Sequence, residues 1–392
     1  MSIASKGLEG VVAAETRISL VDGAQGVLSY GGYGIDDLAR NATFEEVCHL
    51  LWYGELPDQS SLDALRNRIA AALEVPEPVM QVVRLVAGSG HPMASLRTAV
   101  SALSACDADA EDMSAEAMDR KAVRLTAQSI TLTAAIHRIR TGADPVAPRP
   151  DLSLAANLLF MMRGVVPEPI EERIIDAALV LHAEHGMNAS TFTARVTAGT
   201  RADMHSAVTA AIGALKGPLH GGANEQVMQM LLEVDTPERA AGFVRDKLAR
   251  GDKVMGFGHR VYRTLDPRAP ILKGLAEELA AGAGDTRWLQ ISEIIQETMR
   301  EEMDRRDKRV YPNVDFFSAS VYYTLGIPLD LFTNLFACAR MAGWTAHIIE
   351  QLQDNRLIRP ESTYTGPSER TVQTIDKRDH VRTQNIDGAR RR

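Results

Sequence analysis

The sequence predicts an almost all-α protein with a small β-hairpin near its start. Three observations carry that reading. Apolar residues recur at helical spacing in segment after segment. Capping residues and glycine stops bracket those segments. Strand-like runs are confined to TRISLVDGAQGVLSYGGYGI, on either side of the turn signal Asp22-Gly23.

The helices follow in order. ATFEEVCHLLWYG carries a capping box, Thr43 with Glu46, then Val47, Leu50 and Leu51 on one face, and Gly54 as a stop. SSLDALRNRIAAALEVP spaces Leu62, Leu65, Ile69 and Leu73 as a helix that ends before Pro76. AEAMDRKAVRLTAQSITLTAAIHRIRTG reads as one long helix ending near Gly142, and residues 142–151 as a loop. EPIEERIIDAALVLHAEHGMN has Pro169 in its first turn and two histidines near its end. ADMHSAVTAAIGALKGP is small and apolar, which predicts deep burial. TPERAAGFVRDKLARG is bracketed by Thr236, Pro237 and Gly251. A charged amphipathic helix (TRWLQISEIIQETMREEMDRRDKR) and a long apolar one (PLDLFTNLFACARMAGWTAHIIEQLQ) complete the set. The last stretch, DKRDHVRTQNIDGARRR, lacks apolar periodicity and is expected to be a basic tail with little structure of its own.

The net charge of −8 argues against nucleic acid or an anionic membrane as the main partner. Cys48, Cys106 and Cys338 are far apart and form no CxxC pair, which fits reduced thiols and a cytoplasmic location. The opening MSIASKGLEG has no apolar signal core, and no run of apolar residues is long enough to span a membrane.

Several residues could carry chemistry. His220, in GPLHGGAN, sits in a break between two helices, where glycines let another molecule approach. It is either a packed loop histidine or a neutral donor to a developing oxyanion. His259, in KVMGFGHRVYRTLDPRAP, is crowded by Lys253, Arg260, Arg263 and Arg268. That run is a solvated face, or arginines set among apolar groups to hold carboxylate or phosphate. Asp315, in YPNVDFFSAS, is either a helix-terminal charge, with Asn313 or Asp315 itself as cap, or a base sharpened by apolar neighbours. LHAEHGMNAS offers His182, Glu184, His185, Asn188 and Ser190. The two histidines invite a metal reading, but no third ligand follows at a familiar spacing. A single His185 reaching into a cleft, with His182 packed behind it, competes with that reading. Arg340, alone in an apolar helix, needs an anionic partner, either structural or bound. Arg356 and Arg359 add positive charge or are plain surface. No G-x-x-x-x-G-K-[ST] phosphate loop occurs, so any phosphate falls to Arg and Lys side chains.

Taken together and in this order, HAEHGMNASTFTARV, GALKGPLHGGANEQVM, KVMGFGHRVYRTLDPR, YPNVDFFSASVYYTLGIP and FACARMAGWTAHIIEQ…NRLIRP resemble the citrate synthase family. The likeness runs over roughly residues 7–378. It implies a mostly helical homodimer. The large domain would comprise 1–221 and 330–392, and the small domain 222–329. It implies condensation of oxaloacetate with acetyl-CoA to citrate and CoA, with no metal and no cofactor. By resemblance His220, His259 and Asp315 are catalytic, and His185, Arg268, Arg340 and a partner subunit's copy of Arg359 hold oxaloacetate. Arg263 and Lys253 contact CoA, and Ser190 and Asn188 orient. The alternatives are 2-methylcitrate synthase, which takes propionyl-CoA, and a metal-dependent hydrolase built on His182 and His185. That methylcitrate subgroup tends toward GPKHGG and GHPVY, whereas Leu219 and Arg260 stand here.

Overall fold

The computed structural model describes residues 6–283 and 286–375. The expected basic tail, 376–392, lies outside the described residues. Two units are described separately: Ala13–Ile358 holds every element discussed below, and Met1–Val12 with Arg359–Arg392 forms the other.

The N-terminal β-structure has three antiparallel strands where the sequence predicts two. β1 (Ser19–Asp22) pairs with β2 (Val27–Tyr30) in the register Ser19 to Tyr30 and Asp22 to Val27. Asp22-Gly23 starts a four-residue turn in which the Asp22 carboxylate accepts the N–H groups of Ala24 and Gln25. β3 (Tyr33–Gly34) follows directly. Its two-residue turn is Gly31-Gly32, both at positive φ (53° and 91°), a conformation that glycine adopts without Cβ strain.

Sixteen α-helices follow among the described residues. Around the sheet lie α1 (Ile35–Asn41), α2 (Phe44–Tyr53) and α3 (Gln59–Ala72). The Thr43–Glu46 capping box forms as predicted, and Gly54 ends α2 in the left-handed region. Next come α4 (Glu77–Val86), α5 (Pro92–Leu103), α6 (Ala115–Arg140) and α7 (Leu154–Arg163). The sequence reading does not place α4, α5 or α7. Pro78 and Pro92 look like breaks, but they occupy first turns, where a missing N–H costs nothing. Then follow α8 (Pro169–His182), α9 (Ala189–Gly199), α10 (Met204–Leu215), α11 (Ala223–Val234) and α12 (Pro237–Arg250). The chain closes with α13 (Ala269–Ala283), α14 (Arg287–Asp304), α15 (Val314–Thr324) and α16 (Phe332–Gln353). Among the described residues no helix is long and apolar enough to cross a membrane.

Two apolar cores explain the arrangement. One joins the sheet, α1–α3, α7 and α8 to α11–α15. The other joins α4, α5 and α10. α16 serves both: Leu335, Ala339 and Ala342 face the first, and Phe336, Met341 and Trp344 the second. A helix apolar all round must be buried all round, and α16 is the central post. Anything polar on it is therefore exceptional.

Candidate active site

α8 stops at His182, so His185 lies beyond the helix and the two rings share no helical face. This corrects the His-x-x-His reading. His182 Nδ1 donates to Ala178 O at 2.8 Å, the carbonyl one turn back, and its Nε2 is buried without a partner. Burial, with Arg268 adding to it, holds its pKa down at about 3. His185 turns the other way, its Nε2 3.1 Å from the Tyr262 hydroxyl and its ring 5.3 Å from that of His259. Burial, then Arg268 and Arg340, push its pKa well below the ordinary value. Among the described residues no group of three or more His, Cys, Asp and Glu is placed to hold a metal ion.

The turn between α10 and α11 carries His220. Asn188 caps α9, its Oδ1 accepting from the N–H groups of Ser190 and Thr191 at 3.1 Å each. That cap aims Ser190 at the imidazole. The Ser190 hydroxyl lies 2.9 Å from His220 Nε2, and the Ser190 N–H lies 3.3 Å from it. A backbone N–H can only donate, so Nε2 accepts and Nδ1 carries the ring proton. Trp344 of α16 also donates to Ser190 Oγ, at 3.1 Å. Burial, then Arg340, hold the His220 pKa at about 4, so the ring is neutral near pH 7.

His259 shows the same device on the opposite nitrogen. Its Nδ1 accepts the N–H groups of Val261 (3.0 Å) and Tyr262 (3.1 Å), which leaves Nε2 as the donor. Its pKa also lies at about 4, through burial and then Arg268. The turn is strapped on both sides. Arg263 N donates to Gly23 O at 2.8 Å. Glycine is required at position 23, because a Cβ there would stand 2.2 Å from Val261 O. On the other side Gly258 N donates to Tyr311 O, and Asn313 donates to Gly256 O and Gly258 O. The straps tie His259 to the segment that leads into α15.

Asp315 is in the first turn of α15. Asn313 performs the capping, accepting Asp315 N at 3.0 Å, so the Asp315 carboxyl is not used by the helix. Its Oδ1 is buried and has no hydrogen-bond partner. Burial raises its pKa to about 7, against the opposing pull of Arg268. Arg268 is buried in a two-bond pair with Asp266 (3.0 and 2.8 Å), and Asp266 also accepts Val314 N at 3.3 Å. Arg340 is 1 % exposed, with Nε on His182 O at 2.7 Å and its guanidinium 4.7 Å over the Phe336 ring. Phe336 is also 6.5 Å from the His220 ring.

Ring contact joins His185 to His259; Arg268, through Asp266, is tied to the N–H of Val314, the residue before Asp315; Arg340 holds the His182 carbonyl and lies over Phe336, which also neighbours the His220 ring. Ser190 and Asn188 stand behind His220. Lys253 and Arg263 are exposed, as are Arg356 and, in the terminal unit, Arg359. Sequence reasoning missed Asp266, Tyr262 and Trp344. Asp266-Pro267-Arg268 was the legible signal, since an acid two residues from a buried arginine is a ready partner.

A buried carboxyl with no bonding task, in a fold that also holds two neutral imidazoles whose free nitrogens are donors, suits one class of enzyme. Such an enzyme takes a proton from carbon and stabilises the oxyanion that results, beside arginines that favour an anionic partner. A family model described as "Citrate synthase, C-terminal domain" matches residues 7–361. Citrate synthase 2 of Bacillus subtilis is 48% identical over 376 residues, 96% of this chain and 99% of that one. The crystal structure of citrate synthase from Pyrobaculum aerophilum superposes with a TM-score of 0.90 at 40% identity, covering 95% of each chain. A Thermoplasma acidophilum citrate synthase, in ternary complex with carboxymethyl coenzyme A and oxaloacetate, gives 0.90 at 34%, covering 96% and 100%. The chain belongs to the citrate synthase family, enzymes that condense acetyl-CoA with oxaloacetate.

Proposed function

We propose that this chain condenses oxaloacetate with acetyl-CoA and hydrolyses the product to citrate and CoA, and that His220, Asp315 and His259 divide the work. The observation that carries this reading is the pinning of the two imidazoles: backbone N–H groups hold opposite nitrogens as acceptors, leaving each ring one free donor. Asp315 takes a proton from the methyl carbon of acetyl-CoA. His220 Nδ1–H donates to the thioester oxygen, where the negative charge gathers. The nucleophilic carbon attacks the ketone of oxaloacetate, and His259 Nε2–H supplies the proton to the new alkoxide. Water then cleaves the citryl thioester. One oxyanion donor is worth about 10²–10³-fold, and acid–base help about 10²–10⁴-fold.

In the same reading, His185, Arg268 and Arg340 hold the oxaloacetate carboxylates together with Arg359 of the partner subunit in a homodimer. Lys253 and Arg263, both exposed, meet the CoA phosphates. Residues 222–329 form the small domain and close on the flanks, excluding water while the carbanion exists. The three free thiols fit a cytoplasmic setting.

Thiol release from acetyl-CoA should depend strictly on oxaloacetate, with kcat/KM higher for acetyl-CoA than for propionyl-CoA. The difference should be modest, because one methylene is worth only about 1–3 kcal/mol in an apolar pocket. A preference for propionyl-CoA in the same assay would select the methylcitrate reaction instead.

The pH profile should show one acid limb near neutrality. Asp315 works only when ionised, and burial places its pKa at about 7. Below that pH, kcat/KM should fall about tenfold per unit. His220 and His259 stay neutral down to about 4 and add no limb above it. A profile flat from pH 5 to 8 would remove Asp315 as the base.

A further inference from the structure

Arg340 presents an unusual balance of charge. It is buried on α16, yet its polar contacts are one carbonyl and one ring face, and among the described residues no carboxylate lies within ion-pair distance. An isolated buried cation is very costly. Burial lowers the Arg340 pKa to about 10, and Glu184, itself 0% exposed, supplies the first field opposing that fall; Arg340, after His347, in turn helps hold the Glu184 carboxyl ionised against its burial.

The Glu184 carboxylate is nonetheless bonded elsewhere. Its Oε1 accepts the Ser19 hydroxyl at 3.0 Å and His347 Nε2–H at 3.0 Å. Arg195 Nη1 donates to His347 Nδ1 at 3.1 Å, so Nε2 is the nitrogen that carries a proton toward Glu184. Arg195 is fixed in turn by Glu350 (2.7 Å) and Gln351 (3.0 Å). The Glu184 backbone is held as well, its carbonyl 2.9 Å from the Tyr30 hydroxyl. Its Oε2 is buried and has no hydrogen-bond partner, although a cation stands nearby. The carboxylate is anchored toward the sheet and the far part of α16, short of the guanidinium.

We propose that Glu184 is a tethered counter-ion and positioning residue for Arg340: it balances the buried charge from a distance, while Ser19 and His347 hold it short of an ion pair, so that the guanidinium stays open to a substrate carboxylate. The inference rests on the reading of Arg340 as an oxaloacetate ligand. A direct Glu184–Arg340 pair would occupy the donors that the substrate needs. Removing the charge would leave the guanidinium uncompensated and more attractive to a dianion. Loosening the tether would let the carboxylate compete.

Three variants of the full chain separate these outcomes, read by calorimetric titration with oxaloacetate at fixed ionic strength. Glu184→Gln keeps an acceptor for Ser19 and His347 but removes the charge, and should tighten oxaloacetate binding by about threefold to tenfold. A merely structural role cannot produce tighter binding. Ser19→Ala keeps the charge and cuts one tether, and should weaken binding by about threefold or more with kcat unchanged. Unchanged or weaker binding in a folded Glu184→Gln protein overturns the proposal. If that variant does not fold, an unchanged affinity in Ser19→Ala overturns it. Arg340→Met should lose oxaloacetate binding; wild-type affinity there would instead reject Arg340 as a ligand, and the inference with it.

Discussion

Asp315→Asn is expected to lower kcat by about 10³-fold or more while making the protein more stable at pH 8. The two effects share one cause. Burial raises the pKa of this carboxyl from an ordinary 3.8 to about 7. Between those values the folded chain keeps a proton that the unfolded chain has released. The group's contribution to stability is therefore whole below about pH 4 and is lost as pH climbs through 7. Above pH 7 the folded protein carries a desolvated charge at a cost on the order of 4 kcal/mol. Asparagine carries none. Urea melts should show the variant ahead at pH 8 and level with the wild type near pH 4. Equal stability at pH 8 would mean that substrate-free solvent already reaches the carboxyl. Retained turnover would move the base elsewhere.

Gly343→Ala should destabilise the protein and weaken oxaloacetate binding, against the usual preference for alanine in helices. Position 343 lies in the middle of α16, where propensity alone favours alanine by about 1 kcal/mol. A Cβ there would stand 2.4 Å from Ala183 O and 2.4 Å from Glu184 Oε2. Ala183 is backbone at the end of α8 and cannot move without displacing His182 and His185. Overpacking of this kind costs about 1–3 kcal/mol. With an immovable carbonyl involved, the upper end should apply, for a net loss of about 2 kcal/mol. The urea midpoint should fall, and the KM for oxaloacetate should rise more than kcat falls. A raised midpoint would show that α16 can shift and that the close approach is incidental.

Much of the fold was legible because its helices announce themselves locally. The Thr43–Glu46 box, Gly54, Gly251 and the Asn313 position all act within a few residues of themselves. The third strand was less legible: two runs around Asp22-Gly23 suggest one hairpin, and a two-residue strand after the tighter Gly31-Gly32 turn is too short to show a period. α4 and α5 were hidden by prolines that start helices as readily as they end them.

The candidate site divides along the same line. Asp315 was ambiguous between cap and base until Asn313 was seen to do the capping. The pair of histidines in LHAEHG suggested a shared helical face, but α8 ends between them, and the rings turn to Phe336 on one side and Tyr262 on the other.

By itself the sequence determined the helical class and the order of the segments, and by its family resemblance it nominated the histidines, arginines and acid proposed to carry the chemistry. The class and the order follow from periodicity, capping and residue type, which act over a few neighbours. Only the tertiary structure decided which nitrogen of His220 and His259 is the donor, why Asp315 stays free, and how Arg340 is balanced without being occupied. Those depend on backbone N–H groups, carbonyls and charges brought together from distant parts of the chain: Ser190 beside His220, Gly23 beside Val261, Ser19 and His347 on Glu184. Hydrogen-bond direction and burial are properties of that assembly, and no local pattern encodes them.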